Sequence, residues 1–178
     1  AGKPGIQVSA RQKAATDEVL FIGNSYTYAW HMPKMVDAML RTHSKEVRVR
    51  MLAKGGYSLD RHWSDEGAES PRQVIANEKW DAVILQDQSG RPAMSPAATV
   101  ADVISFEKTI RAKGARTILF MTWGHNGDHY KEMSQSIALT YCRAAVKSNA
   151  EIAPVGLAWF KALQKDKRLT LHTPDKSH

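Results

Sequence analysis

The sequence predicts a doubly wound α/β domain, on three observations. Short apolar runs alternate with longer amphipathic stretches along the whole chain. The first run, Val19-Leu20-Phe21-Ile22, is unbroken in the way of a parallel strand buried on both faces. It stops abruptly at Gly23-Asn24-Ser25, which puts polar residues just past a strand's carboxyl end, where open α/β sheets place their ligands.

The elements follow in order. Val19–Gly23 is read as the first strand, and a helix opens near Pro33, since proline suits a first helical turn. That helix runs through Met35, Val36, Met39 and Leu40, with its methionines expected to fill core. Val47–Ala53 forms the second strand. Leu59–Lys79 holds two shorter helices broken at Pro71, before a third strand at Asp81–Gln86. A longer helix follows Pro96 and ends at Lys113-Gly114, glycine being the usual stop. Thr117–Thr122 is the fourth strand, and the helix from His129 to Ser148 carries Met133, Ile137, Tyr141 and Ala145 at helical spacing. Ile152–Val155 is the fifth strand. Right-handed crossovers place five such parallel strands in the order 2-1-3-4-5, so the loops at Ser25 and Gln88 line one crevice, with Lys54-Gly55-Gly56-Tyr57 opening on the same edge.

Length and composition narrow the function classes. The 178 residues fit one domain, expected over 19–178 behind a flexible leader at 1–18. With 43% hydrophobic and 24% charged residues the chain reads as an ordinary globular protein, and no apolar run reaches the ~20 residues of a membrane span. The net charge of +7 is scattered, with mild clusters at Arg48/Arg50 and Lys161/Lys165/Lys167/Arg168 and no aromatic interleaving, which argues for a solvated basic surface and against nucleic acid. A single cysteine, Cys142, allows no internal disulfide and is expected as a buried thiol. That usage fits a cytoplasmic protein or an exported one that needs no disulfides.

The chemistry of acyl transfer needs a nucleophile, a base, an orienting acid and donors for a developing oxyanion. Ser25 is the candidate nucleophile, and its own backbone N–H is one donor. Gly56, in a Gly-Gly turn, offers a second N–H without a side chain to block it, and Gln88 offers an uncharged amide. Asp175 and His178, three residues apart at the far end of the chain, supply acid and base if their segment forms one helical turn or a tight loop. His31, His62, His125 and His129 compete for the base. His125, Trp123 and Asn24 are candidates to contact substrate. A different class of reading, a phosphate- or carbohydrate-binding domain without turnover, accounts for Ser25 and Thr27 but leaves Asp175 and His178 idle.

Taken together, Gly23-Asn24-Ser25-Tyr26-Thr27, Gly55-Gly56-Tyr57-Ser58-Leu59, Val83-Ile84-Leu85-Gln86-Asp87-Gln88-Ser89 and Asp175-Lys176-Ser177-His178 resemble, in order and spacing, the four sequence blocks of the SGNH (GDSL-like) hydrolase superfamily. The resemblance implies a flavodoxin-like three-layer α/β/α sandwich and an esterase or deacetylase activity that needs neither metal nor organic cofactor. Its substrate would be a small ester, including acylated carbohydrate. By motif, Ser25 matches the nucleophile, Gly56 the glycine donor, and Asp175 with His178 the acid and base. Gln88 stands where the superfamily usually has asparagine. A variant branch is closer still, with a Leu-Gln-x-Gln-Ser third block, a Thr-Trp after strand four and a Pro-Val-Gly-x-Ala-Trp segment like Pro154 to Trp159. Family members continue past the histidine, so the 19–178 domain is expected to lack their closing helix.

Overall fold

Residues 16–42 and 46–178 are described by a computed structural model. Five parallel strands, β1 (Asp17–Gly23), β2 (Val47–Ala53), β3 (Ala82–Leu85), β4 (Arg116–Phe120) and β5 (Glu151–Ala153), form one sheet in the order β2-β1-β3-β4-β5. The crossovers are α1 (Ser25–Tyr28) and α2 (Met32–Arg41) after β1, α3 (Leu59–Ser64) and α4 (Pro71–Asn77) after β2, α5 (Arg91–Met94) and α6 (Pro96–Ala112) after β3, and α7 (Tyr130–Ser148) after β4. Helix α8 (Val155–Lys165) follows β5. The order is the one expected, and it sets β1 between β2 and β3, with Phe21 in register with both Met51 and Ile84.

Side chains alternate across the sheet as the period of two requires. Leu20, Ile22, Val83, Leu85 and Leu119 face α3, α4, α6 and α7 and pack there with Leu59, Ile75, Phe106, Ile137 and Tyr141, all fully or almost fully buried. Each such side chain contributes about 1.5–3 kcal/mol of burial. A smaller cluster on the opposite face joins Ile84 and Phe120 to Tyr26 of α1, Met32 of α2, Trp123, and Val155 and Trp159 of α8. The sheet is thus held between two helical layers, and the second layer is aromatic next to the strand ends.

Several local expectations are met by visible causes. Pro96 occupies the first turn of α6, and Gly114, at φ +79°, ends that helix in a conformation only glycine adopts freely. Pro71 opens α4. In the basic clusters Arg48 pairs with Glu18, Arg50 with Glu69 and Glu78, and Arg168 with Asp166 at the surface. Among the described residues no helix is long and apolar enough to cross a membrane.

Other expectations are corrected. Residues 1–15 of the expected leader lie outside the described residues, whereas Asp17 and Glu18 already pair in β1. Met35 and Met39 are exposed, not core: α2 turns Val36 and Leu40 toward the sheet, and the methionines beside them on the helix face outward. Cys142 is exposed on α7, displaced about one residue step from the buried Tyr141 stripe. Strand five ends at Ala153, because Pro154 has no N–H to give the ladder, and Val155 begins α8. Gly156 lets that helix start hard against β4. Its N–H donates to the Met121 carbonyl at 3.0 Å, and a Cβ there would collide with the Thr122 carbonyl.

Candidate active site

The turn after β1 is built around two buried amides. Asn24, 2% exposed, caps α1 by accepting from the Tyr26 N–H at 3.0 Å, and its Nδ2 donates to the Tyr57 carbonyl at 3.0 Å. Gln86, fully buried at the end of β3, uses one Oε1 to accept from the Asn24 N–H at 2.9 Å and from the Thr27 hydroxyl at 2.8 Å. Beneath them the His62 Nε2–H donates to the Gly23 carbonyl at 2.7 Å. Burial holds this imidazole below its ordinary pKa, in the neutral form such a bond allows. A Cβ on Gly23 would collide with the Thr27 hydroxyl and the Gln86 amide oxygen, so glycine is what lets the three segments close together. Ser25 is left as the first residue of α1, partly exposed at the sheet's rim.

The far end of the chain forms a tight loop, not a helical turn. The Lys176 N–H donates to the Thr173 carbonyl at 2.9 Å, and Lys176 takes a left-handed φ of +67°. That bend folds both following N–H groups onto one carboxylate oxygen: Asp175 Oδ1 accepts from Ser177 N–H at 2.7 Å and His178 N–H at 3.0 Å, besides the Thr173 hydroxyl at 2.8 Å. Led by those two backbone donors, these bonds hold the Asp175 carboxyl far below the usual carboxylate range. Asp175 Oδ2 lies 2.6 Å from His178 Nδ1, and His178 Nε2 lies 2.7 Å from Ser25 Oγ. With Nδ1–H donating to the carboxylate, Nε2 has a lone pair for the serine hydroxyl proton. Hydroxyl, imidazole and carboxylate are therefore in line.

The expected oxyanion donors are placed differently from one another. Gly56 sits at φ +69° with open space where a side chain would be, and among the described residues neither its N–H nor that of Ser25 has an acceptor. Gln88 folds over its own turn: Oε1 accepts from the N–H groups of Gly90 at 3.0 Å and Arg91 at 2.9 Å, which aims Nε2 at Ser89 Oγ, 3.1 Å away. Nε2 keeps a second hydrogen. This turn is anchored by fully buried Asp87, which accepts from the N–H groups of Leu59 and Gln88, from the Thr99 hydroxyl at 2.6 Å and from Arg91 at 2.8 Å.

The candidate substrate contacts divide. Asn24 has both ends of its amide committed inside the protein, and Trp123 is buried, stacked between Tyr26 at 4.6 Å and Trp159 at 4.0 Å, so neither lines an open pocket. His125 remains at the rim, half-buried, with Nε2 3.1 Å from Ser89 Oγ; burial and then the neighbouring His172 lower its pKa. Thr27, on which a phosphate-holding loop would rely, is buried against Gln86. No three His, Cys, Asp or Glu side chains among the described residues converge to hold a metal ion. Gln86, Tyr26 and Trp159 stand in the motifs quoted from the sequence, but the sequence reading assigns them no role. Only the amide at the end of an apolar strand was a signal, since a buried amide must find partners.

No protein-family model and no curated protein matches this sequence. Solved structures do. A protein of Slackia heliotrinireducens, assigned as an SGNH hydrolase, is 32% identical with a TM-score of 0.77, the match covering 92% of this chain and 90% of that one. A Bacteroides uniformis protein of the DUF4886 family matches at 20% identity and TM-score 0.67 over 83% of this chain and 70% of its own. An acetylxylan esterase of Geobacillus stearothermophilus shares the fold at 17% identity and TM-score 0.69 over 94% and 89%. Identity of 32% across nine-tenths of both chains is a family relationship, and this chain belongs to the SGNH hydrolases.

Proposed function

We propose that this esterase-type hydrolase cleaves a short acyl ester, carried on a carbohydrate or another small polar alcohol, through Ser25, His178 and Asp175. The observation that carries the reading is the continuous hydrogen-bond chain from Ser25 Oγ to His178 Nε2 at 2.7 Å and from His178 Nδ1 to Asp175 Oδ2 at 2.6 Å. His178 takes the Ser25 proton as Oγ attacks the ester carbonyl carbon. The resulting oxyanion is met by the N–H groups of Ser25 and Gly56 and by the second Nε2 hydrogen of Gln88. Collapse breaks the bond to the alcohol oxygen, which leaves with the proton from His178, and an acyl-serine remains. Water, deprotonated by the same imidazole, attacks the acyl carbon, releasing the acid and restoring Ser25. Asp175 stays charged throughout, holding the imidazole and stabilising it when it carries the extra proton.

The carbohydrate part of the proposal draws on the acetylxylan esterase with the same fold. The test is Ser25→Ala assayed on a short-chain aryl ester and on acetylated oligosaccharides. Loss of turnover in a folded variant is expected on both substrates. Undiminished activity in the variant removes Ser25 as nucleophile, and a parent protein that turns over the aryl ester alone removes the carbohydrate.

A further inference from the structure

Two donors from different elements converge on one backbone oxygen beside the base. The Tyr26 hydroxyl and the Trp123 Nε1–H both donate to the carbonyl of Ser177, at 2.5 and 2.8 Å. A carbonyl oxygen has two lone pairs, so this acceptor is saturated. The same peptide unit is held at its other end, where the His178 N–H donates to Asp175 Oδ1 at 3.0 Å. A peptide unit is planar, and once its C=O and N–H are both pinned, the directions in which the chain leaves it are set. One of those directions leads into the His178 side chain.

The donors are themselves rigid. Tyr26 and Trp123 stack at 4.6 Å with 12° between their planes, Trp159 stacks on the other face of Trp123 at 4.0 Å and 6°, and the His178 ring meets Tyr26 edge-on at 4.8 Å. Tyr26 directly follows Ser25 on α1. One helical turn therefore carries the nucleophile on one residue and grips the loop of its base with the next.

We infer that Tyr26 and Trp123 are positioning residues that act on catalysis through the Ser177 carbonyl, setting the His178 imidazole against Ser25. The inference rests on the reading of Ser25 and His178 as nucleophile and base. Displacement of a reacting group by about 1 Å costs on the order of 10²-fold in rate, which sets the scale for losing the grip.

The test uses Tyr26→Phe, Trp123→Phe and the double variant, with Trp63→Phe as a packing control, since Trp63 packs edge-on against Phe106 in the other helical layer and touches none of these groups. Active sites are titrated with a fluorophosphonate, and kcat and KM for an aryl acetate are expressed per titrated site. Each single variant is expected to lose about 10-fold in kcat and the double about 100-fold, with KM little changed and with titration slowed in parallel. Trp63→Phe is expected to stay within about twofold of the parent. If the substituted clamp only destabilises the protein, fewer sites titrate but each turns over at the parental rate, and the inference is overturned. Should the double variant not fold, the singles decide by the same ratio. Failure of the underlying reading looks different: Ser25→Ala would then keep its activity, or the parent would titrate no serine.

Discussion

Replacing Asn24 by alanine tests how the Ser25 turn and the Gly56 turn are tied together. The side chain makes two bonds in a site 2% exposed, one capping α1 through the Tyr26 N–H and one to the Tyr57 carbonyl, each at 3.0 Å. Loss of an N-cap costs about 1 kcal/mol. Leaving the partly buried Tyr57 carbonyl without its donor costs at most the roughly 1–3 kcal/mol of a fully buried group. Together they come to roughly 1–4 kcal/mol, a sizeable part of the roughly 5–15 kcal/mol that stabilises an ordinary domain. Asn24→Ser separates the contributions: a serine hydroxyl still caps the helix but is too short to reach Tyr57, so it should recover about 1 kcal/mol relative to alanine. Urea unfolding at equilibrium measures both variants, and kcat on an aryl ester measures whether the Ser25 and Gly56 N–H groups, the proposed oxyanion donors, have moved apart. A loss under about 0.5 kcal/mol in Asn24→Ala, within the range of an unremarkable surface change, would refute the reasoning.

The other predictions concern the groups around the proposed triad. Gln88→Glu keeps the oxygen that caps Gly90 and Arg91 but removes both Nε2 hydrogens, so kcat should fall by about 10²- to 10³-fold with the fold intact; an unchanged kcat removes Gln88 from the oxyanion site. Asp175→Asn keeps the acceptor for the two backbone N–H groups but presents an amide or an uncharged oxygen to His178, and kcat should fall by about 10⁴-fold; a loss under about 10-fold contradicts the orienting role. Because the folded pKa of Asp175 is depressed, the stability it confers is present above the ordinary carboxylate range and persists on acidification to about pH 4. His62 behaves differently. Its folded pKa lies below the ordinary 6.5, so its contribution is present above that value and falls away as the unfolded chain takes up the proton; His125 adds in the same direction. His62→Gln, which can still donate to the Gly23 carbonyl, should lose less of its urea midpoint than the parent between about pH 7.5 and about pH 5.5, and equal losses would exclude His62.

How much was legible from the residues follows the range of the forces involved. The apolar run ending at Gly23, proline at the start of α6 and glycine after its end act within a turn or two of chain, and each was read correctly. The strand order followed from crossover geometry, and it is what brings the turns at Ser25 and Gln88 to one edge. Helix α8 was missed because Pro154-Val155-Gly156 reads locally as punctuation. Its glycine is needed for contact with the Thr122 carbonyl, a neighbour that enters only when β4 and β5 pair. The outward turn of Met35 and Met39 was missed for a related reason, as helical spacing shows which residues share a face but not which face meets the sheet.

The amino-acid order alone settled the fold class, the order of the strands and the identity of the residues at their ends, because backbone preference and apolar periodicity are properties of neighbouring residues. The packed molecule settled the partners: Asn24 with Tyr57, Gln86 with Thr27, and the Tyr26 and Trp123 donors with the Ser177 carbonyl. Those bonds join residues as many as 151 positions apart. A hydrogen bond at that separation depends on distance and angle in the folded core, to which every intervening element contributes, and no local pattern along the chain encodes it.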